Sequence, residues 1–165
     1  ENISSILKSG ADKVCINTAA TNNLKFIKNA CRVFGSQAII VSVDYKKNKN
    51  NLDIWSNSGQ IKTNLIFEDY LKDLENIGVG EIILTSIDRD GTMTGYDIDT
   101  LKKVNKFLNI PVIAAGGAGD FENMFDLLKT TNISALAAAS IYHFTKKTPL
   151  DVKKYLKEKK IPVRL

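Results

Sequence analysis

The fold is decided by the stretch Gly80-Glu81-Ile82-Ile83-Leu84-Thr85-Ser86-Ile87-Asp88-Arg89-Asp90-Gly91-Thr92. A short apolar run, rich in isoleucine and bounded by glycines, is typical of a buried strand in a parallel sheet. The hydroxyl, carboxylate and guanidinium groups that follow then fall in the loop at the carboxyl end of that strand, where parallel α/β folds bind their ligands. A plain solvated turn would use similar residues, so this stretch alone leaves both interpretations open.

The same alternation of strand and helix recurs along the whole chain. Strands are predicted at 14–16, 38–43, 81–86, 112–115 and 135–139. Helices are predicted at 1–9, from 22 or 23 to 34, at 65–77, from 97 or 99 to 108, at 121–128 and at 149–159. This order is typical of a parallel sheet covered by helices, either a doubly wound sheet or part of a (β/α)8 TIM barrel. The barrel is favoured because polar or glycine-rich residues follow every strand.

Residues 45–64 interrupt this alternation. Residues 46–51 are typical of a polar turn, and two short arms at 52–55 and 60–63 flank Asn57-Ser58-Gly59, which predicts an inserted β-hairpin. An insertion at the carboxyl end of a strand can border a ligand site or can be a surface decoration, and the pattern favours neither. We otherwise predict one partial barrel domain over residues 1–165.

Composition excludes several classes of protein. The 165 residues are 44% hydrophobic and 25% charged, with a net charge of +5, but no arginine cluster or aromatic-interleaved basic stripe predicts nucleic-acid binding. No apolar run is long enough for a membrane span. Cys15 and Cys31 are expected to be small buried side chains in a reducing, cytoplasmic setting, and no cysteine or histidine spacing suggests a metal site. The chain begins at Glu1 in what resembles mid-helix sequence, so we expect an amino-terminal truncation.

Each predicted strand ends beside a group that could contact a ligand. These groups are Asn17-Thr18, Asp44, Thr85 with Asp88 and Asp90, Gly116-Gly117, and Ala139-Ser140. In a barrel these ends converge on one mouth, and the small-residue ends that precede helices offer backbone N–H groups to a phosphate. Asp44 and Asp90 are candidates for acid–base catalysis, although an exposed loop-capping aspartate would fit the same pattern. His143 and Trp55 are interpreted as packing residues.

Several segments in combination resemble the cyclase subunit family of imidazole glycerol phosphate synthase. They are residues 11–20, 34–37, 85–91, 95–97, 116–119 and the tail 161–165. The resemblance runs the whole length of the chain, and the combination is far more specific than any one segment. It implies a (β/α)8 barrel, of which this chain would cover about strands four to eight.

The resemblance also implies a reaction. The family is a lyase of histidine biosynthesis that uses ammonia to convert phosphoribulosyl formimino aminoimidazole carboxamide ribotide into imidazole glycerol phosphate and aminoimidazole carboxamide ribotide. The substrate is a bis-phosphorylated small molecule, catalysis is by acid and base, and no metal or organic cofactor is implied. A separate glutaminase subunit, docked on the opposite face of the barrel, is implied as the source of ammonia.

The resemblance assigns roles to particular residues. Asp44 matches the catalytic general base or acid. The implied substrate contacts are Asn17, Thr18, Ser58, Gly59, Thr85 and Asp90. The implied phosphate contacts are Gly91, Gly116, Gly117, Ala139 and Ser140. Lys13 and Glu81 match charged residues that gate ammonia at the end of the barrel that faces the glutaminase.

Some positions depart from the family pattern. Ala115 stands where the family usually has serine, Asn64 replaces a common glycine, and the partner catalytic aspartate of the first strand is absent. These departures leave two alternatives: a paralogue that amidates sugars for surface polysaccharides, and an inactive, self-associating barrel fragment. The His143-Phe144 pair and the tail 161–165 favour the cyclase of histidine biosynthesis.

Overall fold

The computed structural model describes residues 2–49 and 51–164, so Glu1, Asn50 and Leu165 lie outside the described residues. The strands are β1 (Val14–Ile16), β2 (Ile39–Asn48), β3 (Asn51–Ser56), β4 (Ile61–Ile66), β5 (Glu81–Ser86), β6 (Val112–Ala115) and β7 (Ala135–Leu136). The helices are α1 (Asn2–Lys8), α2 (Thr18–Asn22), α3 (Leu24–Phe34), α4 (Phe67–Asn76), α5 (Ile98–Val104), α6 (Phe121–Thr130), α7 (Ser140–Phe144) and α8 (Pro149–Glu158), with a 3-10 turn at Ser36–Ala38.

Five strands form a parallel sheet in the spatial order β1-β2-β5-β6-β7. The first part of β2 pairs with β1, and its second part pairs with the antiparallel strand β3, which in turn pairs with β4. Among the described residues the sheet does not close, because β1 pairs only with β2 and β7 only with β6. This architecture confirms the predicted α/β fold and is consistent with part of a (β/α)8 barrel.

The two faces of the sheet have different environments. Successive side chains of a strand point to opposite faces. One set is buried in the core that the helices share: Ile39, Val41, Val43, Ile82, Leu84, Val112 and Ala114. The alternate set is only partly buried and forms what we call the inner face: Ile40, Ser42, Asp44, Ile83, Thr85, Ile113 and Ala115. The inner face therefore remains accessible, and it carries the polar residues near the strand ends.

The prediction that Asp44 ends its strand is wrong. β2 continues to Asn48, because residues 44–48 form an antiparallel ladder with β3 in which Asp44 lies opposite Trp55. The predicted polar turn at 46–51 is wrong for the same reason, because residues 46–48 belong to β2 and Asn51 begins β3. Asn50, in the middle of that predicted turn, lies outside the described residues. The predicted hairpin is present, as β3 and β4, and together with β2 it makes a three-stranded antiparallel extension of the sheet.

Other boundaries differ by smaller amounts. β7 stops at Leu136 instead of 139, because its partner strand β6 is itself short and their ladder ends at Ala114. Helix α5 ends at Val104 instead of 108, and α4 begins at Phe67 instead of 65. Helices α2 and α7 were not predicted, since each has five residues and is too short to show a helical period.

Two predictions about burial are wrong. Cys15 is exposed because it alternates with Val14 and Ile16 and points to the inner face, whereas Cys31 is buried as predicted. His143 is exposed near the end of α7, where Ile141 is the buried residue. None of the helices in the described ranges is long and apolar enough to cross a membrane.

Candidate active site

Asp44 lies at the centre of the candidate site. It is on the inner face of β2, directly beside Thr85 of β5 in the parallel ladder. Ser42, two residues earlier on the same face, donates its hydroxyl hydrogen to Asp44 Oδ1 at 3.2 Å. The sheet therefore fixes the backbone of Asp44 on both sides, and a neighbouring hydroxyl orients its carboxylate.

The environment of Asp44 raises the pKa of its carboxyl. Burial raises the pKa of the Asp44 carboxyl above its ordinary value, and hydrogen bonding with Ser42, Thr85 and Asn17 opposes this rise. The negative charge of Asp90 raises the pKa further. A carboxyl whose pKa is moved toward neutrality can exchange protons with a ligand more readily than an exposed aspartate can.

A chain of hydrogen bonds joins the end of β1 to the hairpin. Asn17 Nδ2 donates to the backbone oxygen of Ser42 at 3.1 Å, and the Thr18 hydroxyl donates to Asn17 Oδ1 at 3.2 Å. The backbone N–H of Asn57 donates to Thr18 Oγ1 at 3.1 Å. Asn17 and Thr18, predicted as substrate contacts, thus lie beside the strand of Asp44 and hold the hairpin turn in place.

The hairpin turn spans the candidate site. Asn57, Ser58 and Gly59 have positive φ angles of 50°, 57° and 74°. Asn57 is bound to Thr18 after β1, while the position of a Cβ on Gly59 lies 3.3 Å from Ile87 Cδ1, after β5. The turn carrying the predicted contacts Ser58 and Gly59 therefore reaches from one side of β2 to the other.

Trp55 is the aromatic neighbour of Asp44. The two residues face each other across the ladder between β2 and β3, so both side chains lie on the same face of the sheet. The Lys46 ammonium lies 4.1 Å from the centre of the Trp55 ring, and within the described ranges Trp55 Nε1 is buried without a hydrogen-bond partner. The interpretation of Trp55 as a packing residue fits its partial burial.

A cavity of about 220 Å³ opens among the loops that follow β5, β6 and β7. Its lining includes Thr85 and Asp90 and all of the predicted phosphate contacts, which are Gly91, Gly116, Gly117, Ala139 and Ser140. Ser140 also begins α7, and the first N–H groups of a helix have no acceptor inside it. The structure thus brings together residues that are far apart in sequence, and Thr85 connects the cavity to Asp44.

The two glycines that follow β6 at this cavity are required by backbone packing. A Cβ on Gly117, at a φ of 101°, would lie 2.2 Å from the backbone oxygen of Gly95, and one on Gly116 would lie 2.6 Å from that of Ser86. Gly95 and Gly117 are also joined by a backbone hydrogen bond of 2.7 Å. The loop after β5 is therefore packed directly against the glycine turn after β6.

Lys13 and Glu81 form an ion pair at the opposite end of the sheet. Lys13 immediately precedes β1 and Glu81 begins β5, so the pair lies beneath the amino end of β2. Two residues predicted to share a gate are therefore in contact, at the end of the strands away from Asp44.

Sequence reasoning missed the partners of the outer side of β2. Tyr45 and Lys47 point away from the inner face, and both bind the Asp97 carboxylate. A strand assignment that continued past Asp44 would have shown these residues by their period of two. The assumed turn after Asp44 concealed that period.

The comparisons with known proteins agree with this geometry. The profile of the Histidine biosynthesis protein family matches residues 1–148. The chain belongs to that family. Within it, the chain is 47% identical over 165 residues to the imidazole glycerol phosphate synthase subunit HisF of Sulfurisphaera tokodaii, covering 100% of this chain and 66% of the relative. The proteins of the same name from Dictyoglomus thermophilum and Clostridium botulinum (strain Alaska E43 / Type E3) are 45% and 42% identical, again over 100% of this chain and 66% of each relative.

The chain thus spans about two thirds of the length of the curated relatives that it matches. Their name confirms the resemblance to the cyclase subunit within the histidine biosynthesis protein family. It does not favour the alternative of a sugar-amidating paralogue.

Proposed function

We propose that this chain carries the acid–base centre and one phosphate site of an imidazole glycerol phosphate synthase cyclase. The reaction joins ammonia to an open-chain, bis-phosphorylated ribotide, closes the imidazole ring and releases imidazole glycerol phosphate and aminoimidazole carboxamide ribotide. The names of the relatives support this proposal. A cytoplasmic location is part of it, as expected for a step of amino-acid biosynthesis.

The observation that carries the proposal is the position of Asp44 relative to the cavity. Thr85 is its direct neighbour in the ladder and also lines the cavity. A ligand whose phosphate occupied the cavity would extend along the inner face toward Asp44. Neighbouring strands are about 4.8 Å apart. The Asp44 carboxyl would therefore lie beside the ligand atoms that are next to its phosphate group.

Asp44 then moves protons during ring closure. Its raised pKa, caused first by burial, allows it to hold a proton in one step and to accept one in another. Ser42 orients the carboxyl through its hydroxyl, and Asp90 keeps a second negative charge nearby. Thr85 and Asp90 line the reacting end of the cavity.

The phosphate is held mainly by backbone N–H groups. Gly116 and Gly117 form the turn after β6, and Ser140 begins α7 on the other side of the cavity. Helix starts and glycine turns suit an anion because their N–H groups point outward and no side chain intervenes. Asn17, Thr18 and the turn with Ser58 and Gly59 contact the other end of the substrate.

Ammonia enters from the opposite end of the strands. We place the glutaminase partner at the amino ends of β1 and β5, where Lys13 and Glu81 form their ion pair. Breaking this pair with Glu81→Gln should change turnover that depends on glutamine and the partner, but leave turnover with added ammonium close to that of the wild type. Equal losses with both nitrogen sources would contradict the gate.

The test of the acid–base role uses the complete natural protein with substrate and ammonium. Asp44→Asn should lower kcat by about 10²–10⁴-fold, the usual contribution of a positioned acid or base. Asp73→Asn, which changes an exposed aspartate of α4, is the matched control and should retain wild-type turnover. Wild-type turnover by folded Asp44→Asn protein would remove the catalytic assignment.

A further inference from the structure

Lys47 joins two carboxylates of the segment that follows β5. Its backbone N–H donates to Asp88 Oδ2 at 2.7 Å, and its ammonium donates to Asp97 Oδ1 at 2.6 Å. Asp88 and Asp97 are the two ends of segment 88–97. One residue of β2 therefore holds both ends of this segment, and we call these two contacts the Lys47 bridge.

The Asp97 end of the bridge is buried. The Asp97 side chain is only 2% exposed, whereas that of Lys47 is 44% exposed. The Tyr45 hydroxyl donates to Asp97 Oδ2 at 3.1 Å, and the backbone N–H of Thr100 donates to Oδ1 at 3.4 Å as the cap of α5. A buried carboxylate needs such partners, and Lys47 is the cation among them.

Segment 88–97 forms one wall of the cavity. Asp90, Gly91 and Met93 line the cavity between the two ends that Lys47 holds. Within the segment, the guanidinium of Arg89, next to Asp88, donates to the backbone oxygen of Gly95 at 3.0 Å. The backbone N–H of Gly95 in turn donates to the backbone oxygen of Gly117. The segment is therefore fixed to β2 on one side and to the glycine turn on the other.

We propose that Lys47 is a positioning residue, whose bridge holds Asp90 and Gly91 at the cavity in a fixed relation to Asp44. Asp44 and Lys47 belong to the same strand, and Lys47 points to the outer face, away from the ligand. The inference rests on the proposed function, because it assigns Lys47 to the phosphate side of that site. Lys47 acts through segment 88–97 and does not itself touch the substrate.

The bridge should matter most for binding. Without the ammonium contact to Asp97, that end of segment 88–97 has more freedom, and the ligand must order the segment when it binds. Lys47→Met keeps the aliphatic stem and the backbone N–H but removes the ammonium. Hydrogen bonds to charged groups are among the stronger ones, so the KM should rise by about 10-fold, while kcat at saturating substrate changes by less than about threefold.

Kinetics and amide hydrogen exchange on the complete natural protein test this inference. Lys47→Met should raise the KM and speed exchange in residues 90–94, but leave exchange in β6 unchanged. Lys47→Arg keeps a cationic donor, so its KM should be much closer to that of the wild type than the KM of Lys47→Met is. The matched control is Lys62→Met, which breaks an ion pair with Asp53 of 2.8 Å on the same antiparallel extension and should behave as the wild type.

A second variant covers the possibility of misfolding. Asp97→Asn keeps an oxygen for the Thr100 N–H and removes the charge that Lys47 binds, so it should raise the KM in the same direction. Unchanged KM and unchanged exchange in both Lys47→Met and Asp97→Asn would overturn the inference. A fall in kcat at constant KM would also overturn it, because Lys47 would then act on the chemical step.

Failure of the inference differs from failure of the proposed function. If the wild-type protein does not turn over the ribotide, the proposed function is wrong, and the exchange of residues 90–94 still tests the bridge. If the wild type is active and Asp44→Asn is not, an unaltered Lys47→Met protein contradicts only the role of Lys47.

Discussion

Asp44 and Thr85 are direct neighbours across the parallel ladder that joins β2 to β5. Thr85 lines the cavity, and Asp44 does not. One pair of adjacent strands therefore connects the group with the raised pKa to the cavity that we propose as the phosphate site. Because backbone pairing sets this relation, we expect it to survive substitution of either side chain.

Replacing Asp44 should stabilise the fold. In the unfolded chain the carboxyl titrates near 3.8, whereas burial raises its pKa in the folded protein. As the pH rises through 3.8, the unfolded chain ionises first, so folding loses stability until the native carboxyl has also ionised. Asp44→Asn avoids this loss and should have a slightly higher Tm than the wild type at about pH 7.

Thermal unfolding at several pH values checks this prediction. The difference in Tm between Asp44→Asn and the wild type should disappear below about pH 3, where the carboxyl is neutral in both states. Asp73→Asn is the control for a general effect of charge. A lower Tm for Asp44→Asn at neutral pH would mean that the carboxylate stabilises the fold.

Two glycines of the cavity should respond differently to alanine. Gly91 has a φ of 77° and no atom within 4 Å of the position of a Cβ, so Gly91→Ala should cost about 1–2 kcal/mol of backbone strain alone. Gly117→Ala would in addition place its Cβ 2.2 Å from the Gly95 oxygen. It should cost at least about 3 kcal/mol, because the loop after β5 must also move.

Urea unfolding of the two variants measures this difference. Binding of inorganic phosphate, followed by calorimetry, should be weakened more by Gly117→Ala than by Gly91→Ala. Equal free energies of unfolding would show that the contact between the glycine turn and Gly95 is easily displaced.

The thiol of Cys15 should report on the charge of Asp44. Although Cys15 is exposed, desolvation of its sulfur at the sheet surface is the larger cause that raises the pKa of the thiol, and the negative charge of Asp44 raises it further. Since the thiolate is the reactive form, Asp44→Asn should speed alkylation of Cys15 by iodoacetamide at about pH 8. Mass spectrometry follows the reaction, with buried Cys31 as the internal reference; an unchanged ratio of the two rates contradicts the coupling.

The 165-residue chain expressed alone should self-associate. Within the described residues, the outer edges of β1 and β7 are unpaired, and Ile40, Ile83 and Ile113 of the inner face are partly exposed. Unpaired edges and exposed apolar faces favour association. Light scattering should detect oligomers, and a monomer at micromolar concentration would contradict this expectation.

A charged substitution identifies the surface involved. Ile83→Lys places an ammonium in the middle of the inner face and should reduce association. Ile61→Lys, at a hairpin position that is already 51% exposed, should not. If both variants associate like the wild type, the strand edges and not the inner face make the contact.

The sequence predicted the parallel strands and the groups at their ends because both follow from local patterns. Apolar runs such as 82–84 predict strands, and helical spacing predicts α3 and α4. The convergence of Thr85, Gly117 and Ser140 on one cavity followed from the fold class, since parallel strands gather their carboxyl ends. The pattern made Asp44 a candidate for acid–base catalysis, and the resemblance implied that it is the catalytic residue.

The remainder depends on contacts between distant residues. Residues 46–48 are polar and look like a turn, and only pairing with β3 makes them a strand. The contact of Lys47 with Asp97 joins residues that no local pattern relates. The exposure of Cys15 depends on which face of β1 it occupies, and a strand of three residues gives too short a pattern to decide that.

The period of two along β2 has a consequence for how the gene can change. Inserting one residue between Asp44 and Lys46 would turn Lys47 inward and present Lys46 to the buried carboxylate instead. A single substitution in this stretch alters one face of the strand, whereas a change in its length would alter both faces at once. We therefore expect length variation among natural variants to accumulate at the hairpin tip, beyond the paired residues.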